Sequence, residues 1–342
     1  MARQDRVKIR FSTKRLQNLC EKLNEDQKNF VRAHGFENFL NLSIFTVPIP
    51  LLEWIMIHFQ CGVKEFQYRG KTIRFTKQMV EQVIGFTSGD ITVDLSNVPP
   101  DQIEEAKAYK VDYVIGNSKP SIAEAIKLCL AEQNEEAFMR SFMIVALATI
   151  VCPNTQNSFD LNLLSYLMRP EQIRHYDWAS FCFDYIIEEV DRFQRNISSS
   201  ETHIRNGTHC YGSCLPLLAV VYMDFLDLNT GFANHHVISY DLPRFCHVKT
   251  EDFLYIVDAD HVRYPASDHM KFGIVPFRHF NDTPYHVVVD DIGGGGNFND
   301  QADDPRDNFN EQIHHDIQLS SNDELPTSSS HGSPIPPVAT LD

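Results

Sequence analysis

The stretch Phe138-Met-Arg-Ser-Phe-Met-Ile-Val-Ala-Leu-Ala-Thr-Ile-Val-Cys152 carries a single charge, Arg140, near its start. Its reading decides the fold. Asn134 is placed to cap a helix, Glu135 and Glu136 fall where the helix dipole favours negative charge, and Pro153 stops the run one residue after Cys152. A helix apolar on every face has to be enclosed by other elements. It is also shorter than the roughly 20 residues that cross a bilayer, so it reads as a central core helix.

Working outward, the chain predicts more helices. One runs from near Asp26 to His34 before Gly35, and another over Leu51–Phe59 after Pro48 and Pro50, closed by Gly62. Phe66-Gln-Tyr-Arg-Gly-Lys-Thr-Ile-Arg-Phe75 alternates apolar and polar residues on both sides of Gly70, which predicts one small β-hairpin. Thr76 then caps a helix carrying Met79, Val80, Val83 and Ile84, ended by Gly85. Residues 86–117 read as a long connection with a helical turn near 102–109, and Ser121 opens a helix with Ile122, Ile126, Cys129 and Leu130 on one face. Asp177 starts a long amphipathic helix with Trp178, Phe181, Tyr185, Ile186, Val190 and Phe193 on one stripe. Residues 212–228 form the last strongly apolar helix, with Pro216 in its first turn, and from Asn229 the pattern weakens to loops around one helix near 251–257. The fold class expected is therefore mainly α, a multi-helix globular domain with one small hairpin.

Charge divides the chain further. Residues 1–22 hold Arg3, Arg6, Lys8, Arg10, Lys14, Arg15 and Lys22 against Asp5 and Glu21, a local net of +5. Residues 290–342 have a net charge of −10 out of −16 for the whole chain, and beyond the boundary marked by Gly293–Gly296 they offer little apolar surface. Too little burial is available there to offset the entropy of ordering. The organisation expected is a solvated, partly helical basic lead-in over 1–25, in which Leu16, Leu19, Cys20 and Leu23 recur at helical spacing, a helical domain over 26–285 and a disordered acidic tail over 290–342. No secretory signal opens the sequence and no run of 18 apolar residues occurs, so an intracellular, membrane-free protein is expected. Its eight cysteines are scattered through apolar helical patterns, as reduced and mostly buried thiols would be.

The sharpest chemical signal is Asn206-Gly-Thr-His-Cys-Tyr-Gly-Ser-Cys214. A thiol near a helix start can act as a nucleophile. His175, Asp191 and Cys210 also fall in the chain order His, Asp, Cys of SUMO-type proteases. Those proteases place a Gln shortly before the nucleophile, where this chain has Ile204 and Arg205, and their His and Asp sit on strands. The set His175, Asp191 and Cys210 thus stands as the catalytic alternative, beside thiols packed at the start of a core helix. His209, Cys210 and Cys214 supply at most three zinc ligands without a second spaced pair, so no metal is expected. No phosphate loop of the Gly-x-x-x-x-Gly-Lys type appears, and Glu188-Glu189 reads as a solvated helix face with no opposing carboxylate. No cofactor is implied.

The order of pieces resembles the plant mobile domain, a family of transposon-derived proteins also labelled aminotransferase-like. The resemblance covers about residues 36–260. It rests on Phe66–Thr76 followed by Val80, Val83, Ile84, Gly85, Phe86 and Gly89. The apolar helix around Phe142–Pro153, His175-Tyr-Asp-Trp178, Gly212-Ser-Cys-Leu215 and Tyr222-Met-Asp-Phe-Leu-Asp227 add to it. It implies a mostly helical, non-enzymatic nuclear module with protein or chromatin partners, and grass members are often fused to a SUMO-type protease domain. It brings no catalytic residue, and nothing in the chain suggests a pyridoxal phosphate lysine. A rival expectation is a remnant without function. Weak, sequence-independent nucleic-acid binding is expected of the basic N-terminal arm.

Overall fold

Asn134 takes the Ala137 N–H on its side chain at 3.0 Å and starts the central helix, Glu135–Ala146, in which every residue from Phe138 to Ala146 is buried. The computed structural model describes residues 7–114, 119–156, 158–200, 209–228, 236–262 and 271–286, and within 158–200 the side chains as far as 197. All belong to one unit, Met1–Val288. The expected acidic tail over 290–342 lies outside the described residues, as do Arg3 and Arg6 of the basic arm.

Among the described residues the protein is mainly α-helical. In chain order the elements are β1 (Val7–Ile9), α1 (Thr13–Cys20), α2 (Glu25–Ala33), α3 (Ile49–Ile57), β2 (Phe59–Gln60), β3 (Glu65–Tyr68), β4 (Lys71–Arg74), α4 (Lys77–Ile84) and α5 (Pro100–Lys110). There follow α6 (Ile122–Ala131), α7 (Glu135–Ala146), α8 (Asn162–Ser165), α9 (Trp178–Ser200), β5 (His209–Tyr211), α10 (Pro216–Phe225) and α11 (Thr250–Asp260). Local chemistry explains most starts and stops. Asn24 and Gln27 form a capping box on α2, Thr76 takes the Met79 N–H at the head of α4, and Gly85 ends α4 at φ 88°. A Cβ on Gly85 would also lie 2.4 Å from Pro243, so both backbone and space call for glycine there.

The sheets differ from the expectation of a single hairpin. The hairpin is present, with Arg69 and Gly70 both at positive φ as a tight twisted turn requires, but Phe59–Gln60 adds a third antiparallel strand. A second sheet joins β1 to β5 in parallel, pairing Val7 with His209, Lys8 with Cys210 and Ile9 with Tyr211. The solvated lead-in over 1–25 needs correction for the same reason. Leu16, Leu19, Cys20 and Leu23 are buried, and Ser12 caps α1 by accepting the Arg15 N–H at 3.3 Å, so residues 7–25 are built into the core.

The end of the central helix widens into a π-turn over Leu147–Val151, where Cys152 N–H donates to Leu147 O at 2.7 Å. A helix end leaves carbonyls without intrahelical donors. One of them, Thr149 O, accepts the Ser12 N–H at 3.0 Å, which ties the head of α1 to the core helix. Arg140, the lone charge of the central stretch, lays its guanidinium over the Tyr109 ring of α5 at 4.1 Å.

Candidate functional site

The thiol corner begins on β5. Its strand is held by β1 on one side and by α9 on the other, where Arg192 donates to Cys210 O at 3.1 Å. Glu189 completes the clamp. Its Oε1 accepts from Arg192 Nε at 2.9 Å, its Oε2 pairs with the other end of the guanidinium, and the same Oε2 accepts Gly212 N–H at 2.7 Å. The reading of Glu188-Glu189 as a solvated pair therefore holds for Glu188 alone, since Glu189 is buried. Beyond Gly212 the chain turns sharply. Ser213 sits at φ 63° and donates its N–H to Pro153 O at 2.7 Å, and a Cβ on Gly212 would lie 2.2 Å from that same oxygen.

Cys214, next in line, is fully buried against Cys182 of α9, whose own thiol donates to Val151 O at 3.3 Å. Burial first, then contact with Cys214, pushes the Cys182 thiol well above its ordinary range. His175 lies elsewhere. It is exposed at the end of a 3-10 turn, Pro170–His175, with its backbone packed on Gly89 and its carbonyl accepting the Ile91 N–H at 3.0 Å. Asp191 is ion-paired with Arg195 at 2.8 Å on the surface of α9. The helix rises 1.5 Å per residue, so Asp191 stands about 20 Å along α9 from Trp178, near which His175 ends its turn. Among the described residues no hydrogen bond or ion pair joins His175, Asp191 and Cys210, and the catalytic alternative is not assembled.

The zinc alternative draws on the same strand. His209 and Cys210 are neighbours on a strand and so face opposite sides of it, while Cys214 is enclosed in the core. Among the described residues no three His, Cys, Asp or Glu side chains converge as metal ligands. Asn206, Gly207 and Thr208 of the motif, and His235 of the His235-His236 pair, lie outside the described residues.

The thiols lead to a chemical test. Burial raises Cys20 to about 12 and Cys246 to about 11, and lifts Cys129 and Cys152 as well, so these groups stay protonated at neutral pH. Iodoacetamide at pH 8 should leave Cys20, Cys129, Cys152 and Cys182 unmodified for hours in the folded chain and alkylate them within minutes in urea, read by mass spectrometry. Fast modification of Cys129 or Cys152 in the native protein would contradict the packing described.

Sequence reasoning missed two buried ionic networks. In the first, Arg244 makes a two-pronged contact with Asp224, Nε to Oδ2 at 2.8 Å and an Nη to Oδ1 at 2.9 Å, and the Tyr285 hydroxyl donates to Oδ2 at 2.6 Å. Arg244 also donates to Ser239 O at 2.5 Å, so the guanidinium is fixed from both sides. In the second, Asp260 accepts from the Tyr222 hydroxyl at 2.5 Å, Gly273 N–H at 2.9 Å and Val275 N–H at 2.7 Å. Lys71 ties down the same loop by donating to Gly273 O and Val275 O, and burial pulls its ammonium below the ordinary range. The signal in the sequence was faint, two acids and an arginine in or beside apolar runs, because the partners lie in segments with no periodicity.

A family model described as a domain of unknown function, DUF8566, matches residues 9–219. The chain belongs to that family. The DUF8566 match includes the whole thiol corner and stops within α10, before Asp224, Arg244, Asp260 and Tyr285. No curated protein and no solved structure matches the chain.

Proposed function

We propose that this DUF8566 protein is a non-enzymatic interaction module of the plant mobile domain kind, acting in the nucleus on protein or chromatin partners. One observation carries the reading. Each of the five carboxylates buried among the described residues, Glu65, Glu189, Asp224, Asp252 and Asp260, is engaged by partners that serve the fold. Glu65 meets Arg74 and Gln67, Asp252 takes the Lys249 N–H and His236, and the other three hold the loops and corners described above. A general acid or base needs a carboxylate or imidazole aimed at a reacting atom, and these are aimed at backbone N–H groups and at neighbouring side chains. The likeness to plant mobile domains, carried by the hairpin, its Thr76-capped helix and the Gly212–Leu215 corner, supplies the nuclear setting. The basic N-terminal segment adds a weak, salt-sensitive attraction for nucleic acid to that module.

Proximity labelling with the full chain in plant nuclei tests this reading. It should recover a reproducible set of chromatin or RNA-processing proteins that a surface-matched unrelated helical domain does not. Labelling indistinguishable from that control would favour an inert remnant. Rapid stoichiometric capture of Cys210 by a cysteine-hydrolase probe, lost in His175→Ala, would favour the protease alternative.

A further inference from the structure

Two cations are buried among the described residues, Arg140 and Arg244, and their surroundings are opposite. Arg244 meets Asp224, Ser239 O and Asp241 O. Arg140 meets no acceptor. It is 5% exposed, its Nε is enclosed with nothing to bond, and among the described residues it makes no hydrogen bond and no ion pair. What lies against it is the Tyr109 ring, 4.1 Å from the guanidinium. A ring compensates only in part for the water that a guanidinium leaves behind. The five carboxylates buried among the described residues cannot make up the difference, because all of them are engaged elsewhere.

We propose that Arg140 is the receiving point of a docking surface for an acidic segment of a partner protein, whose Asp or Glu carboxylate supplies the missing anion. It rests on the interaction-module reading and gives that reading a place on the molecule. Charge complementarity names the occupant, since a planar guanidinium takes a carboxylate on two parallel N–H groups. The setting favours a protein segment over a small ligand. α5 and the 3-10 turn after it, Val111–Tyr113, lie across this part of α7, where Tyr109 covers Arg140 and the buried Tyr113 hydroxyl stands 3.0 Å from Ser141 Oγ. Tyr113 is sealed in, whereas Tyr109 is 38% exposed and Val111 71% exposed. An exposed side chain changes rotamer within nanoseconds, so Tyr109 acts as a flap over Arg140. With Val111 it offers apolar contact to the residues flanking the docked carboxylate. Two exposed acids stand close by along the chain, Glu136 one turn before Arg140 on α7 and Asp112 three residues after Tyr109, and neither is ion-paired with Arg140. Glu136 is therefore the internal rival for the same guanidinium. A charge left unpaired in the free chain favours the complex, because the partner's carboxylate removes the cost of its burial.

The full chain, labelled at arginine and titrated with acetyl-Leu-Glu-Leu-amide while the arginine Nε–H signals are followed by NMR, tests this. The signal that vanishes in Arg140→Met should shift and saturate, and acetyl-Leu-Gln-Leu-amide should bind about tenfold more weakly or less. Glu136→Gln should bind the glutamate peptide at least as tightly as the parent. Without peptide, Arg140→Met should melt no lower than the parent, unlike Arg244→Met, because no buried anion loses its partner. The proposal is overturned if the Arg140 signal stays still, if both peptides move it equally, or if inorganic phosphate moves it and the glutamate peptide does not. Lower melting temperatures in both Arg140→Met and Glu136→Gln would also overturn it, since Glu136 would then neutralise Arg140 in the free chain. Proximity labelling repeated with Arg140→Met separates this surface from the reading beneath it. A partner set unchanged by the substitution strikes the surface while the module stands, and a parent set no different from the control strikes both.

Discussion

Arg244→Met should cost about 3–5 kcal/mol of unfolding free energy, because it strips the partner from a carboxylate that is fully enclosed. Asp224 would keep only the Tyr285 hydroxyl at 2.6 Å. Burial already raises the Asp224 carboxyl, and the charge and two-pronged hydrogen bonding of Arg244 are the main influences opposing that rise. Without them the carboxyl moves further up and has to take a proton to stay inside. The sign of the pH dependence follows. A carboxyl whose folded pKa exceeds its unfolded one favours folding below the unfolded value, and this contribution is lost as pH rises toward the folded value. The variant should therefore be less destabilised near pH 5 than near pH 8, relative to the parent at each pH. Urea unfolding at both pH values measures this. The triple change Arg244→Met, Asp224→Leu, Tyr285→Phe removes the carboxylate and the phenol hydroxyl together with the guanidinium, deprives only the half-buried Ser239 and Asp241 carbonyls of a donor, and should recover much of the loss. A cost below about 1 kcal/mol for Arg244→Met alone, flat with pH, would mean that the pair is open to solvent.

That network also marks where the sequence stops being legible. Helix starts and stops are written in neighbouring residues, so Asn134, Thr76, Gly85 and Gly35 can be read one turn at a time. Buried networks are written in residues far apart. Asp224 and Arg244 are separated by 20 positions and Asp224 and Tyr285 by 61, and a chain of helical period says nothing about which acid meets which arginine. The parallel pairing of Val7–Ile9 with His209–Tyr211 has the same character, since three-residue strands carry too few alternations to register as strands. The π-turn at Leu147–Val151 was hidden for another reason. Periodicity cannot show a widened turn inside a stretch apolar on every side. The candidate chemistry was legible only as residue types. Cys210, His175 and Asp191 stand in a suggestive order, yet the length of α9 keeps His175 and Asp191 apart.

Leu147→Ala probes the reading from which the fold follows. Leu147 stands where α7 passes into the π-turn, 1% exposed, and its carbonyl accepts the Cys152 N–H. Truncation removes buried carbon and leaves a void that close-packed neighbours fill only in part, at a cost of about 2–5 kcal/mol. Alanine's slightly better helix propensity offsets only a few tenths of a kcal/mol. For a unit of this size each kcal/mol lowers the melting temperature by about 2–4 °C, so a fall of roughly 4–20 °C is expected by differential scanning calorimetry. The comparison that gives the number meaning is Leu254→Ala on α11. Leu254 is 57% exposed, and its truncation should stay within about 0.5 kcal/mol of the parent. Equal melting temperatures for the two variants would show that the central stretch is not enclosed, because only a residue surrounded on all sides loses contacts that water cannot replace.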